Sequence, residues 1–226
     1  MSMTLGSTLE QLMTRLTGDE KHSHAATSTL DVLQVLYDRV LRHDPANPED
    51  PDRDRFFLSK GHGPMAYYAV LAAHGYFPVE WLDDFGSFDS PLGYHPDRNL
   101  VPGVEISSGS LGHGLPLAVG AALALRVQGR DSRVFVLVGD AELDEGSNHE
   151  AIEFAPAVGL DNLTVIAIDN DSSSYAVRGR IAERFAVNGW QALTVDGRDH
   201  ADIEHALRHV TPRVPTAVIA RVEDKE

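Results

Sequence analysis

The sequence predicts an α/β fold: a doubly wound, mainly parallel sheet with helices on both faces. The apolar runs RVFVLV (133–138) and NLTVIAI (162–168) have no polar face, and helical patterns lie between the apolar runs. Strands that are apolar on both faces are typical of parallel sheets buried between two layers of helices. A length of 226 residues suits one such unit, so we expect a single domain over residues 1–226.

The first half of the chain contains helical patterns and one short strand. Helical spacing of apolar residues is clearest between Leu30 and Leu41, and a polar loop with three prolines follows it. In chain order, the predicted elements of this half are helices at 8–17 and 27–41, a strand at 56–58 and helices at 64–74 and 79–87.

A stretch from Ser87 to Gly114 is rich in glycine and proline and has little periodicity. Segments of that length without regular structure inside a compact domain are usually functional. We therefore expect this stretch to line a site.

The second half alternates helices and strands. In chain order, we expect helices and strands in turn at 115–127, 133–138, 146–157, 162–168, 179–187, 192–195, 200–210 and 216–222. The helix at 115–127 is apolar on all sides, which predicts burial in the core or at a subunit interface.

Composition excludes several functional classes. The 34 acidic and 19 basic residues give a formal charge of −15, which disfavours binding to nucleic acid or to anionic membranes. The absence of cysteine excludes disulfides and thiolate–zinc sites. No apolar run is long enough to span a bilayer, and the N-terminus lacks the pattern of a signal peptide, so we expect a soluble cytoplasmic protein.

Two polar side chains follow neighbouring strands. Asp140 comes directly after one strand, and Asn170 follows the next about thirty residues later, the length of a β-α-β unit. Both therefore lie at the carboxyl edge of the sheet, where open α/β folds bind ligands. Their oxygen atoms suit Mg²⁺ or Ca²⁺ better than zinc, and the helix after Glu145 presents an N-terminus that favours an anion. As an alternative, both residues only cap helices and shape turns.

This arrangement resembles the thiamine diphosphate signature, which is Gly-Asp-Gly followed about thirty residues later by Asn. Residues 20–200 resemble the N-terminal part of transketolase, which implies a thiamine diphosphate-binding fold. The resemblance implies that the cofactor is contacted by Gly139, Asp140, Ala141 and Asn170. It also implies that Asp140, Asn170 and the Ser172 carbonyl bind Mg²⁺ or Ca²⁺. Ala141 replaces the last glycine of the signature. A positive φ angle there, or a very close approach of the backbone to the diphosphate, would strain the alanine and weaken cofactor binding.

Three histidine-containing loops resemble transketolase motifs. They are HSHAATSTLD (22–31), LSKGHG (58–63) and GYHP (93–96). The resemblance implies that His22, His62 and His95 bind donor hydroxyls or move protons, with His24 as the alternative to His22.

Two further features resemble the same family. SSGSLGHG (107–114) is similar to the loop that contacts the aminopyrimidine ring, which implicates Gly109, Leu111 and Gly114 in cofactor binding. Its glycine order does not fit a nicotinamide-binding loop. For Glu145, the resemblance implies a buried glutamate near the dimer interface and the cofactor, and the alternative is an ordinary acidic residue at a helix N-terminus.

The resemblance also implies a partner, because in transketolase a pyrimidine-binding domain follows the present one, whereas this chain ends at Glu226. We expect an α2β2 assembly with a C-terminal, pyrimidine-domain transketolase subunit, which transfers a two-carbon ketol unit from a sugar phosphate donor. One alternative is a hybrid transketolase/pyruvate-dehydrogenase-like enzyme that delivers the unit to an acyl carrier protein thiol in natural-product biosynthesis. Another is a non-catalytic scaffold subunit, for which Ala141 is the main support.

Overall fold

The structure, a computed structural model, describes residues 5–16, 27–173 and 179–223, with side chains from residue 9 onward. Its centre is a five-stranded sheet in which every neighbouring pair is parallel and the spatial order is β1-β2-β3-β5-β4. The strands are β1 (Arg55–Leu58), β2 (Val134–Gly139), β3 (Leu163–Asp169), β4 (Gln191–Asp196) and β5 (Thr216–Arg221).

Seven α-helices accompany the sheet in the described parts of the chain. They are α1 (Leu5–Thr14), α2 (Leu30–Val35), α3 (Met65–Ala73), α4 (Gly114–Val127), α5 (Gly146–Ala157), α6 (Ile181–Ala186) and α7 (His200–Arg208). A π-helical turn (Leu36–Val40) follows α2, and two 3₁₀ turns lie at Val79–Asp84 and Ala141–Asp144.

The helices form two layers, one on each face of the sheet. Residues of α1, α2, α3 and α7 pack with Phe135 and Leu137 of β2, whereas residues of α4, α5 and α6 pack with Val136 and Val138. Successive side chains of a strand point to opposite faces, so an apolar strand supplies both cores. The doubly wound parallel fold is confirmed.

The helix predicted at 27–41 divides into α2 and the π-helical turn. The Leu41 N–H donates to the Leu36 carbonyl at 2.8 Å, a spacing of five residues in place of four. Leu36, Tyr37 and Val40 are all buried in this wider turn. A spacing rule based on regular α-helix does not detect such a turn.

Helix α4 is buried along one face only. Leu115, Ala118 and Ala122 lie in the core, whereas Leu117 and Val127 are 51% and 78% exposed. The prediction of core burial therefore holds for one side of the helix. None of the helices in the described ranges has the length and apolar character needed to cross a membrane.

The segment 85–113 forms no helix or strand, close to the bounds predicted from Ser87 to Gly114, since the helix predicted at 79–87 is a 3₁₀ turn that ends at Asp84. Helix α3 fixes the course of the segment. The Tyr68 hydroxyl donates to the Gly93 carbonyl at 2.9 Å, and the Tyr67 hydroxyl donates to the Gly103 carbonyl at 3.1 Å. Both tyrosines are otherwise buried in the core. The segment is thereby anchored on the helix that follows β1.

Candidate cofactor site

Asp140 lies where the predicted site was expected, directly after β2, and it is 3% exposed. Its Oδ2 accepts the Ser172 N–H at 2.6 Å and the Ser173 N–H at 3.3 Å. Its Oδ1 accepts the Ala141 N–H at 2.8 Å and the Ser172 hydroxyl at 2.5 Å. The loop after β3 therefore meets the Asp140 carboxylate, as the spacing of the two strands predicts.

Ser173 also ties this loop to the 3₁₀ turn, and α6 holds the 3₁₀ turn in place. The Ser173 hydroxyl donates to Asp144 Oδ2 at 2.6 Å, and Arg184 donates to Asp144 Oδ1 at 3.0 Å. Arg184 also donates to the Leu143 carbonyl at 2.7 Å. These bonds fix the distance between the turn after β2 and the loop after β3.

Negative charge is concentrated at this sheet edge. Burial raises the pKa of Asp169, and the negative charges of Asp140 and Asp171 raise it further, while Arg221 at 3.8 Å acts in the opposite direction. Asn170, beside them, is 8% exposed. A cation would offset this charge, so the residues present fit a divalent metal ion.

Over the described residues, no group of three or more His, Asp or Glu side chains is placed to hold a metal. A metal here would therefore need the Asn170 amide and the Ser172 carbonyl beside Asp140, as the sequence suggests.

Ala141 is not strained by the backbone. It is the first residue of a 3₁₀ turn, and Asp140, which caps the N-terminus of that turn, has a φ angle of −59°. Within the described ranges, the non-glycine residues with positive φ are Asp171 (55°) and Arg213 (63°). The possibility that alanine weakens the site through a positive φ angle does not apply, which removes backbone strain as a support for the scaffold hypothesis.

The loops of His62 and His95 meet the start of the 107–114 loop. A Cβ on Gly61 would lie 2.9 Å from the Gly109 nitrogen, and a Cβ on Gly109 would lie 2.9 Å from the His95 ring. His62 is partly buried between two buried glycines, and His95 is exposed. The structure thus brings these predicted residues together, while His22 and His24 lie outside the described residues.

The end of the 107–114 loop packs tightly on the residue after β1 and on the turn after β2. A Cβ on Gly114 would lie 2.3 Å from the Ser59 Cβ, and one on Gly112 would lie 2.6 Å from the Glu145 Cβ. Leu111, which precedes Gly112, is partly buried. Only glycine permits these two approaches.

Glu142 is a site residue that the sequence analysis missed. It is 1% exposed and accepts hydrogen bonds from Gly112 N–H, Gly139 N–H and the Ser59 hydroxyl. Burial raises its pKa, while these donors and the positive charge of Lys60 oppose that rise. Its position two residues after Asp140, at the end of a fully buried strand, was the available signal.

Glu145, for which the resemblance implies burial near a dimer interface, is exposed in the single chain. Its side chain is exposed in this chain, although its Cβ lies beside Gly112. The physical reason is its position as the residue before α5, on the open side of the turn. Burial of Glu145 would require a second chain.

Comparisons with known proteins place the chain among thiamine enzymes. A family model described as "Transketolase, thiamine diphosphate binding domain" matches residues 16–222. An apulose-4-phosphate transketolase subunit from Actinobacillus succinogenes is 39% identical over 88% of this chain and 75% of its own length. A Rhodococcoides fascians protein named "Ferredoxin fas2" is 54% identical over 95% of this chain and 71% of its own length. The cysteine ligands of an iron–sulfur cluster have no counterpart here, since the chain has no cysteine.

Solved structures agree with this placement. Transketolase from Leishmania mexicana superposes with a TM-score of 0.80 at 26% identity, covering 94% of this chain. The match covers only 36% of the Leishmania chain. The chain therefore spans about a third of that solved relative, and the rest of the relative has no counterpart in the present sequence.

Proposed function

The chain belongs to the transketolase family, and on that premise we propose that it is the diphosphate-binding subunit of a heteromeric, thiamine diphosphate-dependent transketolase. Its holoenzyme transfers a two-carbon ketol unit from a ketose phosphate to an acceptor. The relative from Actinobacillus is named as one subunit of such an enzyme, and three quarters of its length matches this chain.

One observation carries the proposal. The Asp140 carboxylate and the loop Asn170–Ser173 meet at the carboxyl ends of two adjacent parallel strands, joined by the 2.6 Å bond from the Ser172 N–H. Asp140 and Asn170 belong to the motif by which the sequence resembles thiamine diphosphate enzymes. The contact of Asp140 with Ser172 and Ser173, in the loop that begins at Asn170, supports a working site rather than a relic of the motif.

The protein's contribution is binding and orientation. Bound thiamine diphosphate supplies the nucleophilic carbon that accepts the ketol unit. Asp140, Asn170 and the Ser172 carbonyl would hold Mg²⁺ and through it the diphosphate. Gly109, Leu111 and Gly114 would contact the ring, and His62 and His95 would bind donor hydroxyls.

A partner subunit completes this proposal. Ala141, Glu145 and His95 are exposed in the isolated chain, although all three belong to the proposed site. A pyrimidine-domain subunit that covers them would exclude water from the reacting groups, and an α2β2 assembly would provide two such sites. The similarity to a relative that is itself named as one subunit of a transketolase supports this arrangement.

Calorimetric titration tests the proposal directly. Thiamine diphosphate with Mg²⁺ is titrated into this chain, alone and with the pyrimidine-domain transketolase subunit encoded in the same genome. We expect binding that tightens with the partner and is lost in Asp140→Ala. Asp202, exposed on α7, provides the matched control Asp202→Ala, which should bind normally.

Absence of binding both to the chain alone and to the chain with its partner would contradict the proposal.

A second experiment measures ketol transfer by the reconstituted pair, with a ketose phosphate donor and an aldose acceptor. Full activity from this chain alone would contradict the heteromeric arrangement while leaving the cofactor site in place.

A further inference from the structure

Glu142 lies where three chain segments of the candidate site meet. Its carboxylate is withdrawn from solvent, with 1% of the residue exposed. A buried carboxylate is costly unless donors satisfy its oxygens, so the arrangement of those donors shows what the residue holds in place.

The donors come from the ends of two strands and from the glycine-rich loop. Oε1 accepts from the Gly112 N–H at 3.0 Å and from the Ser59 hydroxyl, and Oε2 accepts from the Gly139 N–H at 3.1 Å. The same Ser59 hydroxyl accepts the Gly114 N–H at 3.0 Å. The hydrogen-bonded side chains of Glu142 and Ser59 therefore accept two backbone amides of the loop, those of Gly112 and Gly114.

The loop has a specific need for such anchors. Residues 107–113 belong to neither a helix nor a strand in the structure, and Gly112 has φ 85°. The glycines leave this backbone without bulky side chains that would fix it by packing. Its amide bonds to Glu142 and Ser59 supply that constraint.

The turn itself is tied back to α5. The Glu142 carbonyl accepts from the Asn148 side-chain amide at 2.6 Å, and Asn148 is fully buried. Glu142 is therefore held on its backbone side as well as its carboxylate side. A shift of the glycine-rich loop relative to Asp140 would break several of these bonds together.

We propose that Glu142 is a positioning residue that, together with Ser59, sets the glycine-rich loop at 112–114 at the correct distance from the Asp140 turn. The inference rests on the proposed function, in which this loop contacts the ring of thiamine diphosphate and the Asp140 turn holds its diphosphate. Glu142 acts through the backbone amides that it accepts.

Hydrogen exchange of the cofactor-free chain tests the anchoring step. Glu142→Gln replaces an acceptor oxygen by a donor group, and Ser59→Ala removes the acceptor of the Gly114 amide. Both variants should exchange amides 109–115 about tenfold faster or more, which corresponds to the loss of about one buried hydrogen bond. The control Glu153→Gln, exposed on α5, should exchange like the wild type. Unchanged exchange in both site variants would overturn the inference.

Binding measurements on the complex with the partner subunit test the consequence. Mg²⁺ with thiamine diphosphate is compared with Mg²⁺ with inorganic diphosphate, which lacks the ring. Ser59→Ala should weaken thiamine diphosphate binding about tenfold and change inorganic diphosphate binding by less than about twofold. Glu142→Gln keeps one acceptor oxygen and loses the other, so it should likewise weaken thiamine diphosphate binding more than inorganic diphosphate binding.

A purely structural role predicts a different result. It would lower the melting temperature and weaken both ligands equally, which would overturn the positioning role. The double variant should be less than additive for thiamine diphosphate, since both side chains hold one loop. If the wild type binds inorganic diphosphate but not thiamine diphosphate, the proposed function fails. Exchange that is faster only in the site variants would still support the anchoring step.

Discussion

At the scale of single residues, Asp140 organises its surroundings because a carboxylate can only accept hydrogen bonds. Its two oxygens receive two backbone amides and one hydroxyl from the loop after β3, with the Ser172 N–H at 2.6 Å. An amide or a hydroxyl at position 140 would bring a donor of its own into this set. A bound metal ion would use the same carboxylate oxygens. The loop after β3 and the metal ion would therefore compete for the Asp140 carboxylate.

Ala141, the residue after Asp140, gives a prediction about cofactor affinity and stability. Replacing Ala141 by glycine restores the residue of the family signature, yet it should change thiamine diphosphate affinity by less than about twofold, a few tenths of a kcal/mol. The reason is that Ala141 begins a 3₁₀ turn without positive φ. The free energy of unfolding should fall by about 0.5–1 kcal/mol because glycine loses more backbone entropy on folding. Calorimetry and urea denaturation measure the two effects. A tenfold gain in affinity would instead show that the alanine methyl group obstructs the diphosphate.

The sequence predicted some residues of this site and not others for a physical reason. Asp140 and Asn170 were predictable because each follows a strand, and parallel strands end at one edge. Glu142 and Ser59 act through hydrogen bonds to backbone amides of a distant loop, and local spacing carries no information about such bonds. An acidic residue in a turn is ordinarily solvated, so the position of Glu142 just after a buried strand is a weak signal that does not predict its burial.

At the scale of elements, α3 links the core to the site segment. Tyr67 and Tyr68 place their rings in the core and donate from their hydroxyls to carbonyls of the 85–113 segment. Burial raises the pKa of Tyr67 and Tyr68, so both hydroxyls remain donors throughout the ordinary pH range. The segment without secondary structure thus derives its position from a regular helix.

The contact between the end of α3 and the π-helical turn predicts a pH dependence. His74 Nε2 lies 3.0 Å from Asp38 Oδ1. Burial lowers the pKa of His74 and the nearby His43 lowers it further, against the opposing effect of Asp38. Protonation therefore favours the unfolded chain, so this contribution to stability is present above the ordinary histidine pKa of about 6.5 and is lost as the pH falls below it. Urea denaturation from pH 7.5 to 5 should show a shallower loss in His74→Gln than in the wild type.

The matched control for this prediction is His205→Gln, which removes an exposed histidine on α7. It should retain the wild-type slope between pH 7.5 and 5. Equal slopes for wild type and His74→Gln would contradict the assignment, because the remaining histidines would then account for the pH dependence.

The elements themselves were predicted well where hydrophobic periodicity is strong. β2 and β3 lie within one residue of the predicted strands, and α5 has the predicted bounds. The π-helical turn at 36–40 was missed because it buries Leu36, Tyr37 and Val40, a pattern that a regular helix also shows. The hydrogen-bond spacing that distinguishes the two forms depends on tertiary packing, which local sequence does not encode.

At the scale of the whole molecule, the charge of the chain opposes its proposed ligand. The formal charge is −15, and Asp140, the proposed metal ligand, lies near enough to Asp169 and Asp171 for the three to form a cluster of negative charge. Two like charges about 4 Å apart near a protein surface repel by about 4 kcal/mol at an effective dielectric constant of about 20. A diphosphate therefore binds here only if local amides and a divalent cation reverse the sign of the field.

This electrostatic argument predicts a strict dependence on metal. In the assembled enzyme, removing Mg²⁺ with EDTA should weaken thiamine diphosphate binding by about a hundredfold or more, equivalent to about 2.8 kcal/mol of lost attraction. With Mg²⁺, thiamine diphosphate at about a hundred times its Kd should stabilise the fold by about 2.7 kcal/mol. In a thermal unfolding experiment, EDTA should reduce that gain to about 0.4 kcal/mol or less. Asp140→Asn should bind thiamine diphosphate weakly with or without Mg²⁺, because its amide is a poorer metal ligand than the carboxylate.

High salt in place of Mg²⁺ serves as a control. It should restore little affinity for thiamine diphosphate, since screening weakens the charge repulsion without bridging the diphosphate to Asp140. If EDTA left binding unchanged, backbone amides alone would hold the diphosphate, and Asp140 would serve only to fix the loop after β3.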